Sequence, residues 1–121
     1  MSKTVLTVDD SRTMRDMLLL ALQDAGYTVI QAVDGVDGLE TLAAKGADVV
    51  ITDINMPRMD GFGFIEGMRA DPNHRTTPVL VLTTESDAEK KARARAAGAT
   101  GWIVKPFQSD KLVDAVRRVA A

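Results

Sequence analysis

Four short apolar runs constrain the fold of this chain most strongly, because each is too short for an ordinary helix and ends directly at a polar residue. The runs occupy residues 5–8, 48–52, 79–82 and 102–104. Short runs rich in Val, Ile and Leu are typical of strands that are buried on both faces of a parallel sheet. The residues that follow them supply three carboxylates, a hydroxyl and an ammonium: Asp9, Asp10, Asp53, Thr83 and Lys105.

The first half of the chain alternates between strand and helix patterns. Apolar residues recur at helical spacing in residues 14–25 and again from Gly35 to residue 43, and the glycines Gly26 and Gly46 end these helices. Residues 28–30 predict a short second strand between them.

The second half repeats this alternation. A loop at residues 55–61 precedes a third helix, which the sequence Asp71-Pro72-Asn73 breaks. Ser86 is the predicted N-cap of a fourth helix that ends at Gly98, and Ser109 is the predicted N-cap of a fifth helix that runs to the end of the chain.

Five strands that alternate with five helices predict a doubly wound α/β fold, in which helices cover both faces of one parallel sheet. The carboxyl ends of parallel strands share one edge, and ligands of open α/β sheets bind there. The polar residues that follow the strands are therefore expected to form one pocket. No linker, low-complexity tract or repeat interrupts the pattern, so residues 1–121 are expected to form a single domain.

Composition narrows the class of protein. The 121 residues are 45% hydrophobic and 26% charged, as in ordinary soluble proteins. Cysteine is absent, which excludes a disulfide framework and a thiolate-ligated metal. No signal peptide is recognisable, and no apolar run approaches the roughly 20 residues of a membrane span, so we expect a cytoplasmic protein without membrane contact. The one histidine, His74, is expected to be solvated and without a role.

The net charge of −2 conceals an uneven distribution. Residues 88–121 hold eight basic and three acidic residues, a net charge of +5, whereas residues 1–87 carry −7. The acidic part contains the predicted pocket, and the basic part is a candidate surface for an acidic partner. No groove-reading module accompanies the basic residues, so nucleic-acid binding is not expected.

The carboxylates of the predicted pocket repel one another unless a cation lies among them, because two like charges about 4 Å apart cost about 4 kcal/mol at an effective dielectric of about 20. An all-oxygen site without His or Cys suits a hard ion such as Mg²⁺. A carboxylate beside such an ion can accept a phosphoryl group as an aspartyl-phosphate, with Thr83 and Lys105 as donors to its oxygens. Taken singly, these residues are explained as caps, turn residues or surface charges; their convergence on one edge favours the chemistry.

The motifs resemble those of the receiver domains of two-component response regulators, in particular the stand-alone regulators of chemotaxis. The segments that carry the resemblance span the chain: Val8-Asp9-Asp10-Ser11, Asp53-Ile54-Asn55-Met56-Pro57 with Asp60-Gly61, Leu82-Thr83-Thr84-Glu85 and Lys105-Pro106-Phe107. The resemblance implies a flavodoxin-like sheet with the strand order 2-1-3-4-5. It also implies a cis peptide bond before Pro106.

The resemblance further implies a role for each acidic residue of the pocket. Asp53 is the expected acceptor of a phosphoryl group from a phosphohistidine of a sensor kinase. Mg²⁺ is the expected cofactor, bound directly by Asp10, by Asp53 and by the backbone carbonyl of Asn55, while Asp9 acts mainly through water.

The remaining motif residues are implied to sense the phosphoryl group. Thr83 and Lys105 are expected to bind its oxygens. Thr83 then moves inward and vacates space for Trp102, which occupies the position where the family usually has a switching Tyr or Phe. Asn55 and Glu85 flank the phosphorylation site and are expected to set the hydrolysis rate of the aspartyl-phosphate, giving it a lifetime of seconds to minutes.

The fourth helix is expected to belong to the output surface. It is rich in alanine and charge and has no large apolar side chain, so its grip on the sheet is expected to be weak. With the fifth strand and fifth helix, it is the implied docking face for a target such as a flagellar motor switch protein. The other expected partners of this monomer are a sensor histidine kinase, or its phosphotransfer domain, and a phosphatase.

Three alternatives stay open at the level of sequence. The protein could be a phosphate sink that drains a kinase without binding a target. A phosphatase that uses Asp53 as nucleophile usually needs a second aspartate two residues on, where this chain has Asn55. An FMN carrier is disfavoured because Asp9 and Asp10 would repel the phosphate of the cofactor. We therefore expect no enzyme activity beyond the protein's own phosphotransfer and autodephosphorylation.

Overall fold

The computed structural model describes residues 3–121, and strands and helices alternate along this whole part of the chain. The strands are β1 (Thr4–Val8), β2 (Thr28–Ala32), β3 (Val49–Thr52), β4 (Val79–Thr83) and β5 (Gly101–Val104). The helices are α1 (Arg12–Asp24), α2 (Gly35–Lys45), α3 (Gly61–Ala70), α4 (Ala88–Ala97) and α5 (Ser109–Ala120), with a 3₁₀ turn at Pro72–His74. The predicted alternation of strand and helix is confirmed.

All neighbouring strands are parallel, and their order is β2-β1-β3-β4-β5. The strand order implied by the resemblance is therefore confirmed. The chain moves to one side of β1 to form β2 and to the other side to form β3, β4 and β5. This reversal makes the carboxyl ends of β1 and β3 the topological switch point of the sheet, where open α/β folds bind their ligands.

The helices cover both faces of the sheet because side chains along each strand alternate between the two faces. Residues of α1 and α5 pack on one face, in a cluster of Val5, Leu18, Leu22, Val49, Ile51, Leu80, Leu82, Leu112 and Val116. Residues of α2, α3 and α4 pack on the other, around Leu6, Val8, Leu42, Val50, Phe64, Ile65, Met68, Val79, Val81 and Ala94. Within residues 3–121, no helix is long and apolar enough to cross a membrane.

Helix α4 is attached to the rest of the molecule by a small apolar contact and by contacts of arginine side chains. Ala94 is the buried residue of this helix. The guanidinium of Arg93 lies 4.0 Å from the centre of the Phe62 ring in α3, and Arg69 Nη2 donates to the carbonyl of Gly98 at 2.8 Å. The small apolar contact agrees with the weak grip expected from the composition of this helix.

Two predicted helix caps are wrong. Helix α4 begins one residue later than Ser86 implies, because Asp87 is its N-cap and accepts a hydrogen bond from the Glu89 N–H at 2.8 Å. Ser109 is the first residue of α5 rather than its cap, and Gln108 precedes it without a side-chain capping bond. For α4, Ser and Asp are about equally good caps, so local sequence could not choose between Ser86 and Asp87.

His74 is buried rather than solvated, which corrects the expectation from its polar surroundings. It is 8% exposed in the 3₁₀ turn that follows α3. Its ring Nδ1 lies 3.1 Å from Thr77 Oγ1, and its carbonyl accepts a hydrogen bond from Arg69 Nη1 at 2.7 Å. The polarity of neighbouring residues in sequence therefore does not decide the exposure of His74.

Candidate functional site

The sheet places the predicted pocket residues side by side because backbone pairing continues just past the ends of the strands. The Asp53 N–H donates to the carbonyl of Val8 at 3.0 Å, and the Lys105 N–H donates to the carbonyl of Thr83 at 2.8 Å. Both bonds extend the parallel ladders of the sheet by one residue. Residues that are far apart in sequence therefore share one edge.

Three carboxylates meet at this edge. One oxygen from each of Asp9, Asp10 and Asp53 lies within 4.8 Å of the other two. Asp9 and Asp53 are only 2% and 8% exposed, whereas Asp10 lies at the solvent-exposed mouth. Burial raises the pKa of Asp9 above its usual value, although hydrogen bonds from Ser11 and Lys105 oppose the shift. The three carboxylates repel one another, and their oxygens are the ligands that a small divalent cation prefers.

Lys105 provides a positive charge inside this cluster. Its Nζ donates to Asp53 Oδ2 at 2.8 Å and to Asp9 Oδ2 at 3.0 Å. Burial by itself lowers the pKa of Lys105, but its hydrogen bonds and its attraction to the two carboxylates outweigh this effect and raise it. The ammonium therefore stays protonated. The peptide bond between Lys105 and Pro106 is cis, as the resemblance implied.

The backbone around Asp53 fixes the orientation of its side chain. Asp53 Oδ1 accepts a hydrogen bond from the Ile54 N–H at 2.6 Å, which leaves Oδ2 facing Lys105. The chain then folds back, and the Gly61 N–H donates to the Ile54 carbonyl at 2.8 Å. A Cβ at position 61 would collide with the Asp53 carbonyl oxygen. This return of the chain past Asp53 therefore requires a glycine.

Thr83 ends β4 and is completely buried. Its Oγ1 accepts a hydrogen bond from the Glu85 N–H at 3.4 Å. An oxygen that accepts in this way still has its own proton to donate, so the hydroxyl can bind an acceptor at the edge of the sheet.

Glu85 connects the pocket with the neighbouring helix and with Trp102. Its Oε1 accepts from Asn55 Nδ2 at 3.0 Å, and its Oε2 lies 3.1 Å from Lys90 Nζ in α4. These two hydrogen bonds, the one from Asn55 first, lower the pKa of Glu85. The indole N–H of the partly buried Trp102 donates to the Glu85 carbonyl at 3.0 Å. The sequence contained no signal for Lys90, because its charge resembles that of the other basic residues of α4.

A five-stranded parallel sheet in this order, with an acidic cluster and a lysine at its carboxyl edge, defines a receiver domain. Residues 5–117 match the model of the response regulator receiver domain family. The chain belongs to that family.

Similar proteins refine this class. The chain is 37% identical over 116 residues to the probable chemotaxis protein CheY of Rhizobium etli, covering 95% of this chain and 90% of that one. The structure of chemotaxis protein CheY4 from Vibrio cholerae has a TM-score of 0.94 and 45% identity, with 98% and 99% coverage. The receiver domain of a Pseudomonas aeruginosa sensor histidine kinase, solved with a magnesium ion coordinated in the active site cleft, shares the fold with a TM-score of 0.92 at 23% identity, with 99% and 98% coverage. The chain is thus the receiver domain of a CheY-like response regulator, a signalling protein rather than a classical enzyme.

Proposed function

We propose that this chain is a single-domain response regulator of chemotaxis that is switched by phosphorylation of Asp53. The observation that carries the proposal is the surroundings of this carboxylate. One of its oxygens is held by a backbone N–H, and the other faces the ammonium of Lys105 beside the carboxylates of Asp9 and Asp10. A nucleophile fixed in this way between donors suits an incoming phosphoryl group.

The acidic residues suit Mg²⁺ as the cofactor of this reaction. Asp10, Asp53 and the backbone carbonyl of Asn55 would hold the ion, and Asp9 would act through water. When bound, Mg²⁺ neutralises charge that develops on the phosphoryl oxygens. The acidic cluster supports this assignment, as does the magnesium ion in the related Pseudomonas receiver domain.

Phosphotransfer begins with attack by a carboxylate oxygen of Asp53 on the phosphorus of a phosphohistidine of a sensor kinase. A P–O bond forms as the P–N bond breaks, and the electron pair of that bond stays on the imidazole nitrogen. Lys105 moves one N–H from the carboxylates to a phosphoryl oxygen, and Thr83 donates its hydroxyl proton to another. These charge-assisted donors stabilise the negative charge on the transferred group.

The same site returns the protein to its resting state. A water molecule attacks the phosphorus, the bond to Asp53 breaks, and inorganic phosphate leaves. Asn55 Nδ2 donates a hydrogen bond to Glu85 Oε1 at 3.0 Å, and Asn55 follows Asp53 by two residues, so we propose that this pair controls the approach of the water. A lifetime of seconds to minutes is proposed for the aspartyl-phosphate.

The output is proposed to be the face formed by α4, β5 and α5. Inward movement of Thr83 would disturb the hydrogen bond that Glu85 donates to it, and Glu85 also accepts from Trp102 and pairs with Lys90. A change from 1% to 99% active protein requires about 5.5 kcal/mol of differential stabilisation. The basic charge of this face suits an acidic target, and we propose a flagellar motor switch protein.

The central test is phosphotransfer from a labelled chemotaxis kinase in the presence of Mg²⁺. Wild-type protein is expected to accept the labelled phosphoryl group from the kinase, and Asp53→Asn is expected to accept none. Asp114→Asn on the exposed side of α5 is a matched control that should behave as wild type. Persistent labelling of Asp53→Asn would refute the assignment.

A binding experiment separates two uses of the phosphoryl group. Immobilised flagellar motor switch protein is expected to capture the phosphorylated chain and to release it as the label is lost. Capture by the kinase alone would favour the phosphate sink.

A further inference from the structure

We propose that Arg58 is a positioning residue for the metal site, because it clamps the loop of residues 55–60 to the start of α2 and thereby holds the Asn55 carbonyl in place. This loop is called the β3–α3 loop below. The inference rests on the proposed function, since that function makes the Asn55 carbonyl a Mg²⁺ ligand. Arg58 itself touches neither the carboxylate cluster nor Asn55 through any described hydrogen bond or ion pair.

The side chain of Arg58 forms a two-pronged contact with Asp34. Its Nε donates to Asp34 Oδ2 at 2.7 Å, and its Nη2 donates to Asp34 Oδ1 at 3.1 Å. Asp34 is only 4% exposed and is the N-cap of α2, where Oδ1 also accepts from the Asp37 N–H at 2.8 Å. The paired geometry is the one in which a guanidinium binds a carboxylate most strongly. The arginine is therefore attached to the buried N-cap residue of α2.

The backbone of Arg58 is in an unusual conformation. Its φ is 64°, and it is the single non-glycine residue with positive φ in the described part of the chain. Glycine or asparagine adopts this region more readily than arginine does. A long side chain kept in an unfavourable backbone conformation is typical of positions whose side chain has a specific contact to make. Here that contact is the clamp to Asp34.

A second contact fastens the same loop to the same helix. The Gly35 N–H donates to the Met59 carbonyl at 3.1 Å. A Cβ at position 35 would lie 2.7 Å from that carbonyl oxygen, so the close approach depends on glycine. At its base the loop is closed by the bond from Gly61 to Ile54. The β3–α3 loop is thus anchored at its base and at its tip.

Asn55 depends on these anchors for the position of its carbonyl. Its side-chain amide is bonded to Glu85 on the other side of the pocket, so the direction of the carbonyl is set by the backbone of the loop. Arg58 lies three residues further on, at the anchored tip. Without the clamp, the backbone bond from Gly35 to Met59 is the remaining described hydrogen bond between the tip and α2, so the carbonyl of Asn55 is held less firmly in the position that suits a cation. Loss of such supporting contacts commonly weakens metal binding by about 10- to 100-fold.

The test is calorimetric titration of the unphosphorylated full chain with Mg²⁺. Arg58→Asn removes the clamp but keeps a residue that tolerates positive φ, so it isolates the side chain. We expect its Mg²⁺ dissociation constant to rise about tenfold. Arg58→Lys keeps the charge without the two-pronged geometry and should fall between Arg58→Asn and wild type. Arg117→Asn is the control, because Arg117 is an exposed residue in the last turn of α5 and its described ion pair is a 3.9 Å contact within that helix; it should match wild type.

A kinetic measurement distinguishes a role of Arg58 in positioning the metal ligand from a general loss of stability. In Arg58→Asn, the Mg²⁺ concentration that gives half the maximal phosphorylation rate should rise about tenfold, while the rate at saturating Mg²⁺ stays close to wild type. Equal Mg²⁺ affinity in wild type and both Arg58 variants would overturn the role of Arg58, even if the melting temperatures of the variants fell, and would leave the proposed function intact. Absence of Mg²⁺ binding by wild type would overturn the proposed function and the inference with it.

Discussion

The hydroxyl groups of two buried threonines differ in whether they have a hydrogen-bond partner. Thr7 in β1 and Thr52 in β3 are both completely buried. Thr52 Oγ1 donates to the Asp53 carbonyl at 2.8 Å, whereas Thr7 Oγ1 has no partner among the residues that the structure describes. A buried hydroxyl without a partner loses its hydration and gains nothing in return. The same substitution should therefore have opposite effects at the two positions.

Thr7→Val is expected to raise the free energy of unfolding by about 1–2 kcal/mol, because it replaces the unpartnered hydroxyl with a methyl group of similar size. Thr52→Val is the matched control and should lower the free energy of unfolding by roughly 1 kcal/mol, because it leaves the Asp53 carbonyl without its donor. Urea denaturation of both variants and wild type measures the difference. Destabilisation by Thr7→Val would contradict the prediction.

The pairing of Asp34 with Arg58 makes stability depend on pH in a specific direction. The hydrogen bonds from Arg58, and next that from the Asp37 N–H, lower the pKa of Asp34 below its usual value. A lowered pKa in the folded state adds stability above the ordinary pKa of the carboxyl group, and this stability is lost as the pH falls through the lowered pKa. The contribution should therefore be complete at neutral pH and vanish in acid.

Asp34→Asn tests this dependence while keeping a good N-cap for α2. At pH 7 the variant should be less stable than wild type, and the difference should shrink as the pH falls below the usual carboxyl pKa of about 4. Urea denaturation at pH 7, 5 and 3 measures the difference. Asp48→Asn is a control on the far side of the sheet, at the amino end of the strands. A difference between wild type and Asp34→Asn that grew in acid would contradict the assignment.

Residues at the ends of strands could be found from the sequence, whereas the Arg58 clamp could not. Asp9, Asp53, Thr83 and Lys105 follow apolar runs, and parallel pairing forces such positions to one edge. The contact of Arg58 with Asp34 joins two loops, and it depends on the positive φ of one residue. The conformation of a loop leaves no repeating pattern in the sequence, so contacts between loops can be identified only from the structure.

Among the helices, α4 and α5 differ in how much apolar surface holds them to the sheet. Helix α5 buries Leu112, Val113 and Val116, whereas α4 buries only Ala94. Burial of a large aliphatic side chain contributes about 1.5–3 kcal/mol, and alanine contributes much less. Local opening should therefore require less free energy for α4 than for α5.

Amide hydrogen exchange measures this difference directly. Backbone amides of the second half of α4 are expected to exchange at least about tenfold faster than those of α5, because opening α4 exposes little apolar surface. The comparison is internal to one sample, so solvent and temperature are matched. Equal protection of the two helices would mean that the polar contacts of Arg93 and Arg69 anchor α4 as firmly as a buried apolar face does.

The helices could be predicted from the helical spacing of their apolar residues, and the strands from their short apolar runs. The exact residues at which the helices begin were harder to predict. The central strands β3 and β4 are buried along their whole length and are continuous apolar runs in the sequence. The start of α4 was misjudged by one residue because Ser86 and Asp87 are both good caps, and the start of α5 was misjudged because Gln108 precedes the helix without a side-chain capping bond. The strand order came from the family resemblance; alternation alone permits several orders of a parallel sheet.

At the scale of the whole molecule, the acidic cluster is expected to lower the stability of the fold. Three carboxylates share the edge of the sheet with the single ammonium of Lys105, so negative charge is in excess there. The pKa of Asp9 is raised mainly by burial, and repulsion from Asp53 adds to the shift. Sites selected for binding charge commonly lower stability in this way.

Asp10→Asn should therefore stabilise the protein when no Mg²⁺ is present and remove most of its response to the ion. Asp10 is exposed, so relief of like-charge repulsion is expected to raise the free energy of unfolding by only about 0.5–1 kcal/mol in a chelator. In wild type, Mg²⁺ at about 100 times its dissociation constant should add about 2.7 kcal/mol, and the variant should gain far less because it has lost a ligand. Urea denaturation with and without Mg²⁺ gives all four values, and Asp114→Asn should match wild type in both conditions. An unchanged Mg²⁺ response in Asp10→Asn would remove this carboxylate from the metal site.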